Sequence, residues 1–215
     1  MVRRFRDRRE AGVLLAAALA HLEGDDPVVL ALPRGGVPVA FEVAQALRAP
    51  LDVVVVRKLG VPFQRELGMG AIGEGGVRVL DPSTVRLARV TPDELERVEA
   101  RERAELERRV AMYRGGRPIA ATEGRTAIVV DDGIATGGTA RAAVLVVRAY
   151  GARRIVLAVP VAAPESVREL RDVADEVVAL ATPQPLVAIG PWYRHFDQTT
   201  DDEVRMLLEA ASRGG

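Results

Sequence analysis

Short runs of apolar, mostly β-branched residues alternate along the chain with longer stretches whose apolar positions recur every three or four residues. The runs at 27–32, 51–56, 126–130, 154–159 and 176–180 predict five strands. Between and around them the helical period predicts helices over 8–22, 37–48, 139–150 and 164–173, with Gly151 ending the third. Thr91, Pro92, Asp93 and Glu94 form a capping box with proline at the first helical position, opening a charged helix to Arg114 whose glutamates and arginines read as a solvated face. Thr200 to Glu203 caps a last helix reaching about Ala211. Strands that are apolar throughout are buried on both faces. The expected fold is therefore α/β, a five-stranded parallel core sheet flanked by helices, with ligands at the carboxyl ends of the strands.

One segment breaks the alternation. Residues 57–76, RKLGVPFQRELGMGAIGEGG, are rich in glycine and polar side chains and too long for an ordinary connection, so they read as a functional or mobile loop with room for a hairpin. No repeat or low-complexity block appears, and 215 residues with 48% hydrophobic content fit a single domain, 1–215. Thirty basic and thirty acidic residues cancel, which removes any global electrostatic case for a nucleic-acid or membrane partner and makes a phosphate site a local matter. Cysteine is absent and no apolar run approaches the length of a membrane span, so a soluble, cytoplasmic protein is expected. Lys58 is the single lysine among the 30 basic residues, which makes it a position to test rather than a proof of a role.

The chemistry concentrates after the third strand. Asp131 and Asp132 arrive together at the sheet edge, and 133–139 follow as a loop rich in glycine and threonine that runs into a helix N-terminus. Gly137 and Gly138 let backbone approach a ligand, the unpaired N–H groups and helix dipole favour an anion, and Thr136 and Thr139 add hydroxyl donors. The loop lacks the lysine of the GxxxxGK[ST] nucleotide-binding pattern, and GxGxxG is absent, so neither ATP hydrolysis nor hydride transfer is supported. A solvated turn is the plain alternative for the acidic pair. A ligand that satisfies both halves carries hydroxyls for the carboxylates and a phosphate one sugar carbon away; ribose 5-phosphate meets that description.

The segment VVDDGIATGGT resembles the signature of the type I phosphoribosyltransferases, which use 5-phosphoribosyl diphosphate (PRPP). Other family elements follow in order along most of the chain, and the ending PWYRHFDQTTDDEV resembles uncharacterised bacterial members. The resemblance implies that Asp131 and Asp132 hold the ribose hydroxyls, that Ala135, Thr136, Gly137, Gly138 and Thr139 wrap the 5-phosphate, and that Arg34, Gly35 and Gly36 of the PRGG loop hold pyrophosphate. It makes Arg57 and Lys58 the start of a flexible catalytic loop, here without a further lysine or a histidine; Glu66 and Glu74 either organise that loop or are solvated. It implies Mg²⁺ bound with PRPP, with no dedicated protein cage and Asp131 and Asp132 as contacts through water. Some related enzymes place the loop lysine in a neighbouring subunit's site, and the resemblance on that ground implies a homodimer with Lys58 acting across it. The implied activity is transfer of the phosphoribosyl group to a nitrogenous small-molecule acceptor, a nucleobase, with pyrophosphate released; the alternative is a non-catalytic PRPP or nucleotide sensor.

The family builds its acceptor pocket from a variable hood and the segment after the last core strand, here 182–198 within a hood and tail of about 182–215, beyond a core of about 1–181. Trp192, Tyr193 and Phe196 either stack on a planar base, with Asp197 reading its edge, or staple the tail to the core. His195 reads as a structural or surface histidine before it reads as a general base, and His21 lies away from the chemistry.

Overall fold

The computed structural model describes residues 4–213, so residues 1–3 and 214–215 of the expected domain lie outside the description. In chain order the elements are α1 (Arg8–Ala18), β1 (Pro27–Ala31), α2 (Gly36–Leu47), β2 (Leu51–Val53), β3 (Val56–Val61), β4 (Gln64–Gly73) and β5 (Arg78–Leu80). There follow α3 (Pro82–Leu87), α4 (Pro92–Arg114), β6 (Thr126–Val130), α5 (Gly138–Ala149), β7 (Arg154–Val161), α6 (Pro164–Leu170), β8 (Glu176–Ala181) and α7 (Asp201–Arg213). The five apolar runs do form one parallel sheet, in the order β2-β1-β6-β7-β8.

That order sets where a ligand goes. From β1 the chain moves outward to β2, then returns to β6 on the other side of β1 and continues outward through β7 to β8. The connections leaving β1 and β6 therefore run in opposite directions and open a crevice at the carboxyl ends of this pair. Ala31 lies opposite Val130, so the two strands finish in step and deliver 32–36 and 131–138 to one level.

Strand alternation divides the core between the two faces. Val29, Ala31, Ile128 and Val130 pack with α1, α2 and α7, while Val28, Leu30, Ala127 and Val129 pack with α5 and α6. All eight are fully buried, and at roughly 25 cal/mol per Å² such burial is the main source of stability. Among the described residues no helix is long and apolar enough to cross a membrane.

The segment expected to be a loop is instead a second sheet, three antiparallel strands in the order β3-β4-β5. Its glycines weaken the strand signal because they mark close backbone approaches: a Cβ on Gly60 would collide with the Arg65 carbonyl oxygen, and one on Gly70 with that of Val79. The sheet docks on α5 through Ala71, Ala142 and Val146. The run 51–56 is accordingly split, with Val53 ending β2 and Val56 opening β3. Uninterrupted valines carry no mark of the change of sheet. The expected first helix stops at Ala18 and continues as a 3₁₀ turn at Ala20–Leu22, and α3, whose N-cap Asp81 accepts from the Ser83 N–H at 2.9 Å, was not anticipated.

Candidate functional site

The loops that leave β1 and β6 touch. A Cβ on Gly35 would collide with Asp132 Oδ2, and one on Gly36 would lie 2.6 Å from the Val130 carbonyl oxygen, so a side chain at either position displaces the acidic loop or its strand. The sequence PRGG thus brings the N-terminus of α2 against the acidic pair. Arg34, whose preceding peptide bond is cis, is about one-third exposed and stands 4.0 Å from Asp201 at the start of α7.

Asp131 and Asp132 occupy different environments. An Asp131 carboxylate oxygen accepts from the Asp132 N–H at 2.8 Å. Burial first, and the charge of Asp132 next, push the Asp131 carboxyl well above the usual carboxylate range. Asp132 is salt-bridged to Arg8, whose Nε and Nη2 both lie 2.8 Å from Oδ2. Arg8 also donates through Nη1 to the Asp197 carbonyl at 2.7 Å and lies 3.9 Å over the Phe196 ring. Sequence reading missed Arg8. It stands 124 positions from its partner in an arginine-rich stretch with no distinguishing pattern.

The anion loop is pinned from beneath. Ile134 N–H donates to the Val161 carbonyl and Ala163 N–H to that of Ile134, both at 2.9 Å. Ser166, buried on α6, donates its hydroxyl to the Ala135 carbonyl at 2.7 Å. Gly137 has φ +74°, the left-handed conformation that costs a glycine little. It turns the chain into α5, whose first N–H groups receive no side-chain cap and are aimed at the crevice.

The second sheet carries the basic residues over this loop. The Lys58 aliphatic stem passes Gly138, within 3.5 Å of where a Cβ would stand, while its ammonium donates to the Glu66 carbonyl at 3.1 Å. Lys58 therefore lies beside the anion loop of its own chain. Arg57 is held by Glu102 of α4 at 2.6 and 2.8 Å. Glu66 is 93% exposed, but Glu74 is largely buried and ion-paired with Arg114, so it is Glu74 that ties the second sheet down.

Two cavities meet at Lys58 and Glu66. One, of about 490 Å³, is bounded by Pro33, Arg57, Thr139, Arg101 and Arg109. The other, of about 520 Å³, is bounded by Thr136, Gly137, Gly138 and Arg141. Of the expected site residues, Thr136, Gly137, Gly138 and Thr139 of the anion loop and Arg57 and Lys58 line these cavities, whereas Arg34, Gly35, Gly36, Ala135, Asp131 and Asp132 line neither. The arginines of α4 were read as part of a solvated face, and Arg101 and Arg109 are instead cavity residues.

The tail residues separate into two groups. Tyr193 is 4% exposed, its ring packed against Phe5 and Phe196 with centroids 5.5 and 5.0 Å away, and its hydroxyl donates to the Asp132 carbonyl at 2.6 Å. It has no face open to a base. Of the two readings of Tyr193, the geometry supports the staple, and backbone bonds from Phe5 to Trp192 and from Arg194 to Phe5, both 2.9 Å, continue it. Trp192 is partly exposed beside this cluster, and Asp197 engages Arg8 through its carbonyl rather than its carboxylate. His195 is exposed, and its N–H donates to the Arg6 carbonyl.

Comparison with known proteins agrees with this geometry. The family model described as "Phosphoribosyl transferase domain" matches residues 8–190. Two Mycobacterium tuberculosis proteins, "Putative phosphoribosyl transferase MT0597" and "Putative phosphoribosyl transferase Rv0571c", are each 55% identical over 209 residues, which is 97% of this chain and 47% of theirs. The chain thus spans about half the length of the curated relatives it matches. The crystal structure of TT1426 from Thermus thermophilus is 52% identical and superposes with a TM-score of 0.90, covering 95% of this chain and 97% of that one.

Proposed function

The chain belongs to the phosphoribosyl transferase domain family, and on that premise we propose that it transfers the 5-phosphoribosyl group of PRPP to a nitrogenous acceptor, a nucleobase, with release of pyrophosphate. The observation that carries this reading is the contact of Gly35 with Asp132 at the β1/β6 crevice. It supports the reading because it brings the PRGG loop, proposed for pyrophosphate, against the acidic pair, proposed for the ribose hydroxyls, which the loop proposed for the 5-phosphate follows directly.

The residues divide the work by charge. N–H groups of 135–139 and the hydroxyls of Thr136 and Thr139 receive the 5-phosphate, and Asp131 and Asp132 accept from the ribose hydroxyls. The bond from the anomeric carbon to pyrophosphate breaks with its electron pair leaving on pyrophosphate. The acceptor nitrogen forms the new bond from the opposite face and gives up a proton. Arg34, the N–H groups near Gly35 and Gly36, Arg57 and Lys58 meet the charge that grows on the leaving group, and the acids favour the cationic sugar. A donor of this kind is worth about 3–4 kcal/mol in the transition state.

Magnesium fits the donor set in one manner only. Among the described residues no group of three or more His, Cys, Asp or Glu side chains is placed to hold a metal, while Asp131 and Asp132 offer carboxylate oxygens of the hard kind Mg²⁺ takes. The pair would hold, through water, an ion that arrives on the polyphosphate and there neutralises its charge.

Replacing both acids tests the assignment. Asp131→Asn with Asp132→Asn is expected to weaken PRPP binding by about tenfold or more while the protein remains folded by circular dichroism. Unchanged PRPP affinity in the double variant removes the ribose site from this position.

A further inference from the structure

Asp132 is held from the two ends of the chain. Arg8, the first residue of α1, grips its carboxylate, and Tyr193 of the tail donates its hydroxyl to the Asp132 carbonyl at 2.6 Å. The two ends are themselves joined, since the Phe5 N–H donates to the Trp192 carbonyl and the His195 N–H to that of Arg6, both at 2.9 Å. Helix α1 in turn lies so close to α2 that a Cβ on Gly12 would stand 2.7 Å from the Val39 carbonyl oxygen. The start of α1 is thereby fixed against the helix into which the PRGG loop runs.

Two features of the Arg8 contact bear on its role. Nε and Nη2 both meet the same oxygen, Oδ2, at 2.8 Å, and Oδ2 is also the oxygen that a Cβ on Gly35 would strike first, with Oδ1 farther away at 3.2 Å. Oδ2 therefore faces protein, and Oδ1 is the oxygen left to offer a ligand. The guanidinium is itself immobilised. Its Nη1 donates to the Asp197 carbonyl at 2.7 Å, it lies 3.9 Å from the centroid of the Phe196 ring, and the side chain is only 12% exposed. A cation held by three partners stays in place when a ligand arrives, whereas a removable plug on Asp132 calls for an exposed side chain with no other partner.

We propose that Arg8 is a positioning residue for recognition of the sugar: by fixing Oδ2 with its guanidinium fork it turns Oδ1 of Asp132 towards the ribose hydroxyls. Arg8 acts through Asp132 and touches no ligand itself. The role rests on the phosphoribosyl transfer reading, in which the acidic pair takes the ribose; the clamp rests on the contacts of Arg8 alone. A lysine does not reproduce it, because an ammonium is a point charge without the planar fork that grips a carboxylate and stacks on a ring.

Calorimetric titration of the full chain with ribose 5-phosphate and with orthophosphate tests it on four proteins: the wild type, Arg8→Ala, Arg8→Lys and Arg9→Ala. The two ligands carry one phosphate of similar charge, so loss of a positive charge weakens both alike, and only ribose 5-phosphate presents hydroxyls to Asp132. Arg9 is the neighbour of Arg8 on α1 but is exposed and pairs with Glu42 at 3.0 Å. The wild type is expected to bind ribose 5-phosphate more tightly than orthophosphate. Arg8→Ala should lose roughly tenfold or more in ribose 5-phosphate affinity and less than about threefold for orthophosphate, and Arg9→Ala should change neither. Arg8→Lys should remain at least about fivefold weaker than the wild type for ribose 5-phosphate. The proposal is overturned by a wild type with no preference for ribose 5-phosphate, by equal losses for both ligands, by wild-type affinity in Arg8→Lys, or by an Arg9→Ala protein that behaves like Arg8→Ala. Unchanged ribose 5-phosphate affinity in Arg8→Ala also overturns it, as does a gain, which would make Arg8 a competitor for Asp132. Should Arg8→Ala fail to fold, Arg8→Lys keeps an aliphatic stem and the charge and is read by the same criteria. Titration with PRPP and magnesium chloride alongside separates the two ideas. PRPP bound equally by the wild type and Arg8→Ala overturns the role of Arg8 alone, whereas a wild type that binds neither PRPP nor ribose 5-phosphate overturns phosphoribosyl transfer and the role of Arg8 with it.

Discussion

The Asp131 carboxyl is held where ionising is unfavourable, by burial and by the charge of Asp132. A carboxyl whose folded value lies above its unfolded one, about 4, keeps its proton in the native state after the unfolded chain has lost it, so stability falls as pH rises between the two values. Asp131→Asn removes the ionisable group and with it that loss. Thermal unfolding should show the variant with a higher Tm than the wild type at pH 7, the difference closing as pH falls below about 4, where the wild-type carboxyl becomes protonated in both states. A variant that melts lower at pH 7 would contradict this. The acids, the glycine-threonine loop, PRGG and Lys58 were legible because each is a local chemical pattern. Arg8 was not, since its meaning comes from Asp132 and Phe196, brought to it only by the fold.

At the scale of elements, neighbouring glycines of the α2 N-terminus are expected to fail in different ways. A methyl group on Gly35 meets a carboxylate oxygen at the far end of the Asp132 side chain, which can turn aside, whereas one on Gly36 meets the backbone carbonyl of β6 at 2.6 Å. Gly35→Ala should therefore cost less than about 1 kcal/mol of stability yet weaken PRPP binding, and Gly36→Ala should cost about 1–3 kcal/mol. Urea denaturation midpoints beside PRPP titrations check the contrast; equal destabilisation by the two would remove it. The five parallel strands and the long charged helix could be read because burial on both faces and an N-terminal capping box leave plain marks. The second sheet could not, because its glycines serve backbone contacts with partners along β4 and β5, and no local period records them.

At the scale of the whole molecule, two sheets must be held in one relation for Lys58 to reach the anion loop. Arg114, read from sequence as the end of a solvated helix, has a side chain only 1% exposed and ion-pairs with Glu74 at the end of β4 and, at 3.7 Å, with Asp52 of β2. Asp52 in turn accepts from the Val53 and Ala120 N–H groups at 2.7 and 2.8 Å. Arg114→Ala leaves buried carboxylates without their counter-ion and should cost about 3–5 kcal/mol; a loss below about 1 kcal/mol in urea denaturation would show that other contacts hold the sheets together. The tail acts at the same scale from the opposite side, with Tyr193 and Arg8 fixing the backbone and carboxylate of Asp132. All of these contacts converge on the crevice proposed to take PRPP. Its direct test is calorimetric titration of the wild-type chain with PRPP, with and without Mg²⁺: saturable binding strengthened by magnesium is the predicted result, and no binding in either condition would contradict the account.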